Sequence, residues 1–480
     1  MSMLKPIDRK DIMTDEKFII AEIKRFYASD QYRTMVQGLD YFLGNHDILK
    51  RKRTVIGDDG DLIEVENLPN NRLVDNQYRK MVKQKVNYLL GKPLTYQAEN
   101  EIYVKHIKDI FDKRFQRLLK NIGKDVLNCG IAWCFVYYDE SGNFKLKKFS
   151  PLEVIPEWKD SEHTELDMII RTYKMLEYKD IDTTEEVTKV EVYTLKGVDF
   201  YILEGDRLIP EEPYHRNYLT MGNTELNWDR IPFIAFKFNE EETPLIKQVK
   251  SLQDALNLVL SNFGNAMEED VRNTVMVLVN YDGEDLGKFR RNLATYGAVK
   301  VRSIDGVSGD LKTLQIEVNP ENYKTIIAML KKAIIENAMG YDAKDDRVGA
   351  NANQMNILSM YSDIDLEAND METEFQASFE DLLYFTDLYL KLSLNKDFSN
   401  DELEIIFDKY LPMNETERIQ NILNSSDLSL ETRLANHPWV SDVDVEMNRK
   451  NQEYEELDSY RKSFIKERRG YDGNRSSQEK

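Results

Sequence analysis

Between Arg347 and Lys391 the chain carries no lysine, arginine or histidine, and past Gly349 neither glycine nor proline interrupts it. The stretch reads as one long helix from Asn353 to Leu394, a rod of about 60 Å at ~1.5 Å per residue. Any fold for this chain must be arranged around that rod. Ile357, Met360, Ile364, Met371, Phe375, Phe379 and Leu382 recur at helical spacing and form an apolar stripe. Asp363, Glu367, Asp370, Glu374 and Asp381 make a second line beside it, at steps of three, four and seven. Like charges three and four apart repel by a few tenths of a kcal/mol per pair. No cation on the helix relieves them, so something outside it must account for the stripe.

The 480 residues suffice for two to four domains with real cores, and 26 Tyr with 20 Phe exclude a disordered chain. The net charge of −21 is unevenly placed. Residues 1–130 hold 24 Lys and Arg against 19 Asp and Glu, and the remaining 350 hold 41 against 67. A basic front and an acidic back argue against generic coating of nucleic acid. They fit a protein that repels a polyanion or keeps one moving. Cys129 and Cys134 flank an apolar segment and read as buried thiols in a reducing, intracellular setting. No signal peptide opens the chain and no run of ~18 apolar residues occurs, so no membrane span is expected.

Catalysis finds little support. The Gly-Lys pairs at Gly91, Gly123 and Gly287 lack the rest of a phosphate-binding loop. His46, His106, His163, His215 and His437 are scattered and form no metal-binding spacing. The acidic run Asp58-Asp59-Gly60-Asp61 reads as a solvated turn before a cation site. Asp345 and Asp346 have the look of a metal-dependent nuclease, but no second carboxylate set or catalytic lysine sits at a matching spacing. No catalytic residue, metal or cofactor is expected.

The architecture expected is α+β. Helices over 14–30, 72–90 and 101–128 precede strands over 131–138, 144–149, 168–176, 187–195 and 198–203. A helix over 245–269 follows, with Leu252, Leu256, Val259, Phe263 and Met267 in phase. Then comes a small insert with strands over 275–281, 298–301 and 311–318 and a helix over 284–296. Asn319 and Pro320 open a return helix that stops at Gly340. Two helices that leave the body and return, with a small module at their tips, make a stalk, and a stalk is stable when copies pack side by side in a ring. On the return helix Lys332 can pair with Glu336, while Lys324 and Lys331 lie seven apart on one flank, free for a neighbour or a ligand.

In this order the segments resemble a family. "YFLGNHDILKRKR", "NNRLVDNQYRKMVKQKVNYLLGKPLTY", "RIPFIAFKFNEEE" with "LIKQVKSLQDALN", and "LSLETRLANHPWVSDVDVE" are similar to successive segments of the portal proteins of tailed double-stranded-DNA phages, of the type found in siphophages of Gram-positive hosts. The likeness covers about 15–465, and no single motif is a catalytic signature. It implies a ring, typically of twelve subunits, at one capsid vertex of the virion, assembled in the host cytoplasm, with double-stranded DNA passing through its centre. It further implies an N-terminal arm (1–24), a wing (25–250), stem helices (251–272 and 320–339), a clip (273–319), a tunnel loop (340–352), a long wing helix (353–394), a crown (395–470) and a disordered tail (471–480).

The resemblance also implies partners. The clip meets the terminase large subunit and later the head-completion or adaptor protein, and the wing meets scaffold and major capsid protein. Asp342, Lys344, Asp345, Asp346 and Arg347 are then expected in the channel from the loop, and Lys324, Lys331 and Lys332 from the stem. Acidic walls with few cations suit a polyanion that must slide, because tight phosphate contacts would stall it. The carboxylate line on the long helix is expected to face the lumen or to pair with a neighbouring subunit's basic groups. The competing readings are a structural adaptor or scaffold-like oligomer without a channel, and a metal-dependent nuclease or phosphotransferase.

Overall fold

In the computed structural model, which describes residues 15–56, 59–66, 68–180, 183–221, 224–270, 275–279, 310–314, 320–342, 354–409, 415–440, 442–443 and 445–457, the chain begins with two capped helices. Asp15 opens α1 (Glu16–Ala28), and the Ser29 hydroxyl accepts from the Tyr32 amide to open α2 (Asp30–Leu43). Part of the segment expected as an arm is therefore core: Ile19, Ile20 and Ile23 of α1 are buried against the main sheet. Gly44, at φ 101°, ends α2 in the left-handed conformation that glycine adopts freely.

A short 3₁₀ turn (Asp47–Lys50) leads to the hairpin β1 (Thr54–Ile56)–β2 (Leu62–Glu64) and then to an extended strap. Next is α3 (Gln77–Leu90), with Tyr78, Met81, Val82, Val86 and Leu89 buried as its periodicity predicts. The helix expected from residue 72 begins five residues later, for a reason given below. After β3 (Thr95–Gln97), the single helix expected over 101–128 is two, α4 (Glu101–Ile110) and α5 (Lys113–Cys129). Asp112 makes the break. Its carboxylate accepts from the amides of Arg114 (2.8 Å) and Phe115 (3.0 Å), an N-cap that competes with helix continuation.

Two antiparallel sheets form the body. One has the order β13-β4-β5, from β4 (Ile131–Tyr138), β5 (Phe144–Phe149) and β13 (Phe233–Lys237). The other has the order β10-β9-β8-β7-β6, from β6 (Val154–Trp158), β7 (Leu166–Asp180), β8 (Thr183–Thr194), β9 (Gly197–Glu204) and β10 (Arg207–Arg216). A small hairpin, β11 (Leu219–Met221)–β12 (Thr224–Leu226), precedes β13. The core joins Trp133, Phe149, Ile169, Val190, Tyr193 and Phe233 with the buried face of α1. Cys129 and Cys134 are buried free thiols, as expected, and burial pushes Cys134 up to about 12.

The chain then leaves along α6 (Ile246–Asp270), pairs β14 (Val275–Val279) antiparallel with β15 (Asp310–Leu314), and returns along α7 (Pro320–Asn337). The helix expected over 284–296, the strand over 298–301 and the Asn319 cap lie outside the described residues. The long helix is α8 (Gln354–Leu394), within one residue of expectation. Segment 395–409, the start of the expected crown, packs against β3 and α4. Its strand β16 (Glu404–Ile406) pairs with β3, and Phe398 stacks on Tyr103 at 4.7 Å. Helices α9 (Glu415–Asn424) and α10 (Leu430–Ala435) follow.

The chain divides into two units. One comprises residues to Asp342 with Asp363–Tyr410, and the other comprises Ala343–Ser362 with Leu411–Lys480. Among the described residues no helix is long and apolar enough to cross a membrane.

Candidate functional site: the stem, its polar spine and the acidic helix

Every fourth residue of α6 from Gln253 is polar, and Gln253, Asn257, Ser261 and Asn265 are all buried. Unpaired, each such group costs roughly 1–3 kcal/mol. Amides of the extended strap before α3 donate to one side-chain oxygen of each, while Asn265 Nδ2 stays buried without a hydrogen-bond partner among the described residues. The amide of Asn71 donates to Asn265 Oδ1 (2.6 Å), that of Leu73 to Ser261 Oγ (2.9 Å), and that of Asp75 to Asn257 Oδ1 (3.1 Å). The amides of Gln77 and Tyr78 both donate to Gln253 Oε1 at 3.0 Å. Two residues of extended chain advance ~6.6 Å, and four residues of helix advance ~6 Å. The rungs therefore stay in register along the whole strap. This is why residues 72–76 are extended although their sequence permits helix: the N–H groups of Leu73 and Asp75 are committed to α6.

The spine continues sideways. Asn257 Nδ2 donates to Nδ1 of His46 (2.7 Å), and His46 Nε2 donates to the Tyr41 carbonyl (3.1 Å). These contacts require the neutral ring, and burial lowers the His46 pKa accordingly. One turn away Lys250 bridges Asp47 (2.7 Å) and Asp254 (2.8 Å). The apolar periodicity of α6 conceals all of this. The visible signal was a polar residue at every fourth position, out of phase with the leucines.

The far half of the stem is poorly covered. Phe263 and Tyr323 meet at 4.9 Å between α6 and α7. Leu258, Met267, Ile326 and Met329 nevertheless remain exposed, and no residue of α7 before Ile334 is buried. Lys332 pairs with Glu336 (3.7 Å), as its spacing predicts. Lys324 lies 3.9 Å from Glu321 with both side chains largely in solvent. Lys331 differs from expectation. Its ammonium is held by the Asp75 carboxylate on the strap at 2.7 Å, so it serves the base of the stem within its own chain. Of the loop residues, Asp342 is half-buried, and Lys344, Asp345, Asp346 and Arg347 lie outside the described residues.

Several carboxylates of α8 are relieved within the chain. The apolar stripe is buried through Ile364, Met371, Phe375, Phe379 and Leu382. Beside it Glu367 is buried and ion-paired with Lys85 of α3. Lys409 lies 3.4 Å from Asp365 and 3.2 Å from Glu372. The hydroxyls of Tyr88 and Tyr103 donate to Asp365 (2.9 Å) and Asp387 (2.7 Å). Arg230 pairs with Asp381 at 3.0 Å. Asp363 and Asp370 are exposed and Glu374 is half-buried. The cation-rich first 130 residues contribute through Lys85 of the same chain. Burial raises the Glu374 carboxyl against the pull of Lys237, and raises Asp381 against that of Arg230. It pushes Asp387 up to about 6 despite the Tyr103 hydroxyl, with Asp397 and Asp401 adding to the rise.

The site is mechanical: a stem fixed at its base by a polar spine, and a long helix whose charges are tied to the body. Residues 27–462 match the family described as phage portal protein, SPP1 Gp6-like. The chain belongs to that family. It is 28% identical over 427 residues to the portal protein of Bacillus phage SPP1, covering 87% of this chain and 83% of that one. It is also 28% identical over 440 residues to the portal protein of Clostridium phage phiCD119, covering 88% and 94%. Among solved structures, the neck of a native GTA particle computed with C12 symmetry aligns at a TM-score of 0.37 and 12% identity, over 75% of this chain and 88% of that one, too loosely to argue from. The chain has the α+β portal fold and the portal role: it forms the channel at one capsid vertex through which double-stranded DNA is packaged and ejected.

Proposed function

We propose that the chain works as a ring of twelve copies in which 25–250 is the wing, 251–272 and 320–339 the stem, 273–319 the clip, 340–352 the tunnel loop, 353–394 the long wing helix and 395–470 the crown. The observation that carries this reading is the stem. Its outer half keeps Leu258, Met267, Ile326 and Met329 in solvent, a face that a single chain leaves uncovered. Copies packed around an axis cover it without any new element.

In this arrangement Asp342, Lys344, Asp345, Asp346 and Arg347 line the channel from the loop, and Lys324 and Lys332 from the stem. Lys331 stands at the stem's base. Few cations among many carboxylates keep phosphate contacts weak, so the duplex slides. ATP hydrolysis belongs to the terminase large subunit, which docks on the clip and is later replaced by a head-completion or adaptor protein. Scaffold and major capsid protein contact the wing during assembly in the host cytoplasm.

The test is packaging by particles carrying Arg347→Ala or Lys324→Ala. The expected result is a clear fall in packaged or retained DNA while rings still form. Normal packaging by both variants overturns the assignment of the channel residues.

A further inference from the structure

We propose that Lys85 is the positioning residue that fixes the end of the returning stem helix α7 against the long helix α8, with α3 as the post between them. The inference rests on the portal reading only in that these two helices flank the segment assigned to the channel.

Lys85 reaches two elements at once. Its Nζ donates to the Met339 carbonyl at 3.2 Å, and the same ammonium is ion-paired with Glu367 of α8. Both side chains are buried. Met339 is one of the described non-glycine residues at positive φ (45°), a conformation that costs of order 1–3 kcal/mol and persists only where surroundings enforce it. Its carbonyl lies past the last turn of α7, where helices leave acceptors without partners.

The neighbours of Lys85 grip the same backbone. Gln84 Nε2 donates to the Tyr341 carbonyl (2.8 Å), and the Tyr341 amide donates back to Gln84 Oε1 (3.2 Å). Between them, Gly340 sits so close that a Cβ there would lie 2.7 Å from Met81 Sδ and 2.9 Å from Gln84 Oε1. Three consecutive residues, 339 to 341, are thus held by one turn of α3. That turn is rigid, because Met81, Val82 and Val86 are core and the strap before it is pinned to α6.

An ion pair in this place is not explained by stability. Two apolar residues of similar volume generally serve a buried site as well or better. What they cannot do is reach a carbonyl on a second helix and a carboxylate on a third. Lysine has three donors and a long stem, and it meets both demands.

Two paired variants test the proposal. Lys85→Glu with Glu367→Lys keeps an ion pair between α3 and α8 but removes the donor to Met339. Lys85→Met with Glu367→Leu removes every charge and leaves none unpaired. Hydrogen–deuterium exchange on purified protein is read at 338–342 and 363–371, and packaged DNA is read in particles. The proposal predicts that both variants fold, that amides at 338–342 exchange about tenfold faster, and that packaging falls at least as far. Wild-type exchange and packaging in either folded variant overturn it. Should the swapped pair fail to fold, the apolar pair decides alone. Whether the unaltered protein forms a ring with a hole is a separate measurement, so a failure of the portal reading is distinguishable from a failure of this one.

Discussion

At the residue scale, Asn257 is the most committed side chain in the stem. It accepts from the Asp75 amide and from Gln253 Nε2 (3.1 Å) and donates to His46. Asn257→Leu strands a backbone N–H and a ring nitrogen and leaves the Gln253 amide with only the Asp75 carbonyl as acceptor. We expect a loss of about 2–4 kcal/mol, read as a lowered thermal midpoint with faster exchange in 71–77; an unchanged midpoint would show the spine to be dispensable. His46 sets an acid limit. Its folded pKa is lowered, so the stability it contributes is present above the unfolded value of ~6.5 and is lost as pH falls through that value and the folded one. Asp387 works oppositely. Its folded pKa is raised to about 6, so its contribution is present below the ordinary carboxylate range and lost as pH rises through 6. Asp387→Asn should match the parent near pH 4 and exceed it by about 1 kcal/mol above pH 6. Melting curves at the two pH values check this, and a variant less stable at pH 7 than the parent contradicts it.

At the scale of elements, the long helix shows how far a sequence carries. Its length, its ends and its buried stripe were legible because periodicity over 41 residues is a strong signal. The relief of its carboxylates was not. Lys85, Lys409 and Arg230 lie 282, 44 and 151 positions from the carboxylates they serve, as the pairs Lys85–Glu367, Lys409–Asp365 and Arg230–Asp381 show. No local pattern reports such pairing. The strap was misread for the same reason, since side chains nearly 200 positions away take its amides. Strands β6 and β10 were overlooked because Pro156, Pro210 and Pro213 break the usual strand signature. Lys409 gives this scale its prediction. Lys409→Met leaves Asp365 and Glu372 without their shared cation and should cost about 1–2 kcal/mol. The loss should shrink in high salt, which screens the remaining repulsion. A salt-independent loss would point to packing instead of charge.

At the scale of the whole molecule, the described contacts explain why one chain is an incomplete object. The body has a continuous core from α1 to β13, and α3 ties α6, α7 and α8 to it. The outer stem has no such support, and the portal role supplies the missing partner in further copies of the same chain. The most direct measurement is electron microscopy of the purified protein. The account predicts closed rings with an open axial hole wide enough for a DNA duplex. Dispersed single chains, or rings without an axial hole, would contradict it.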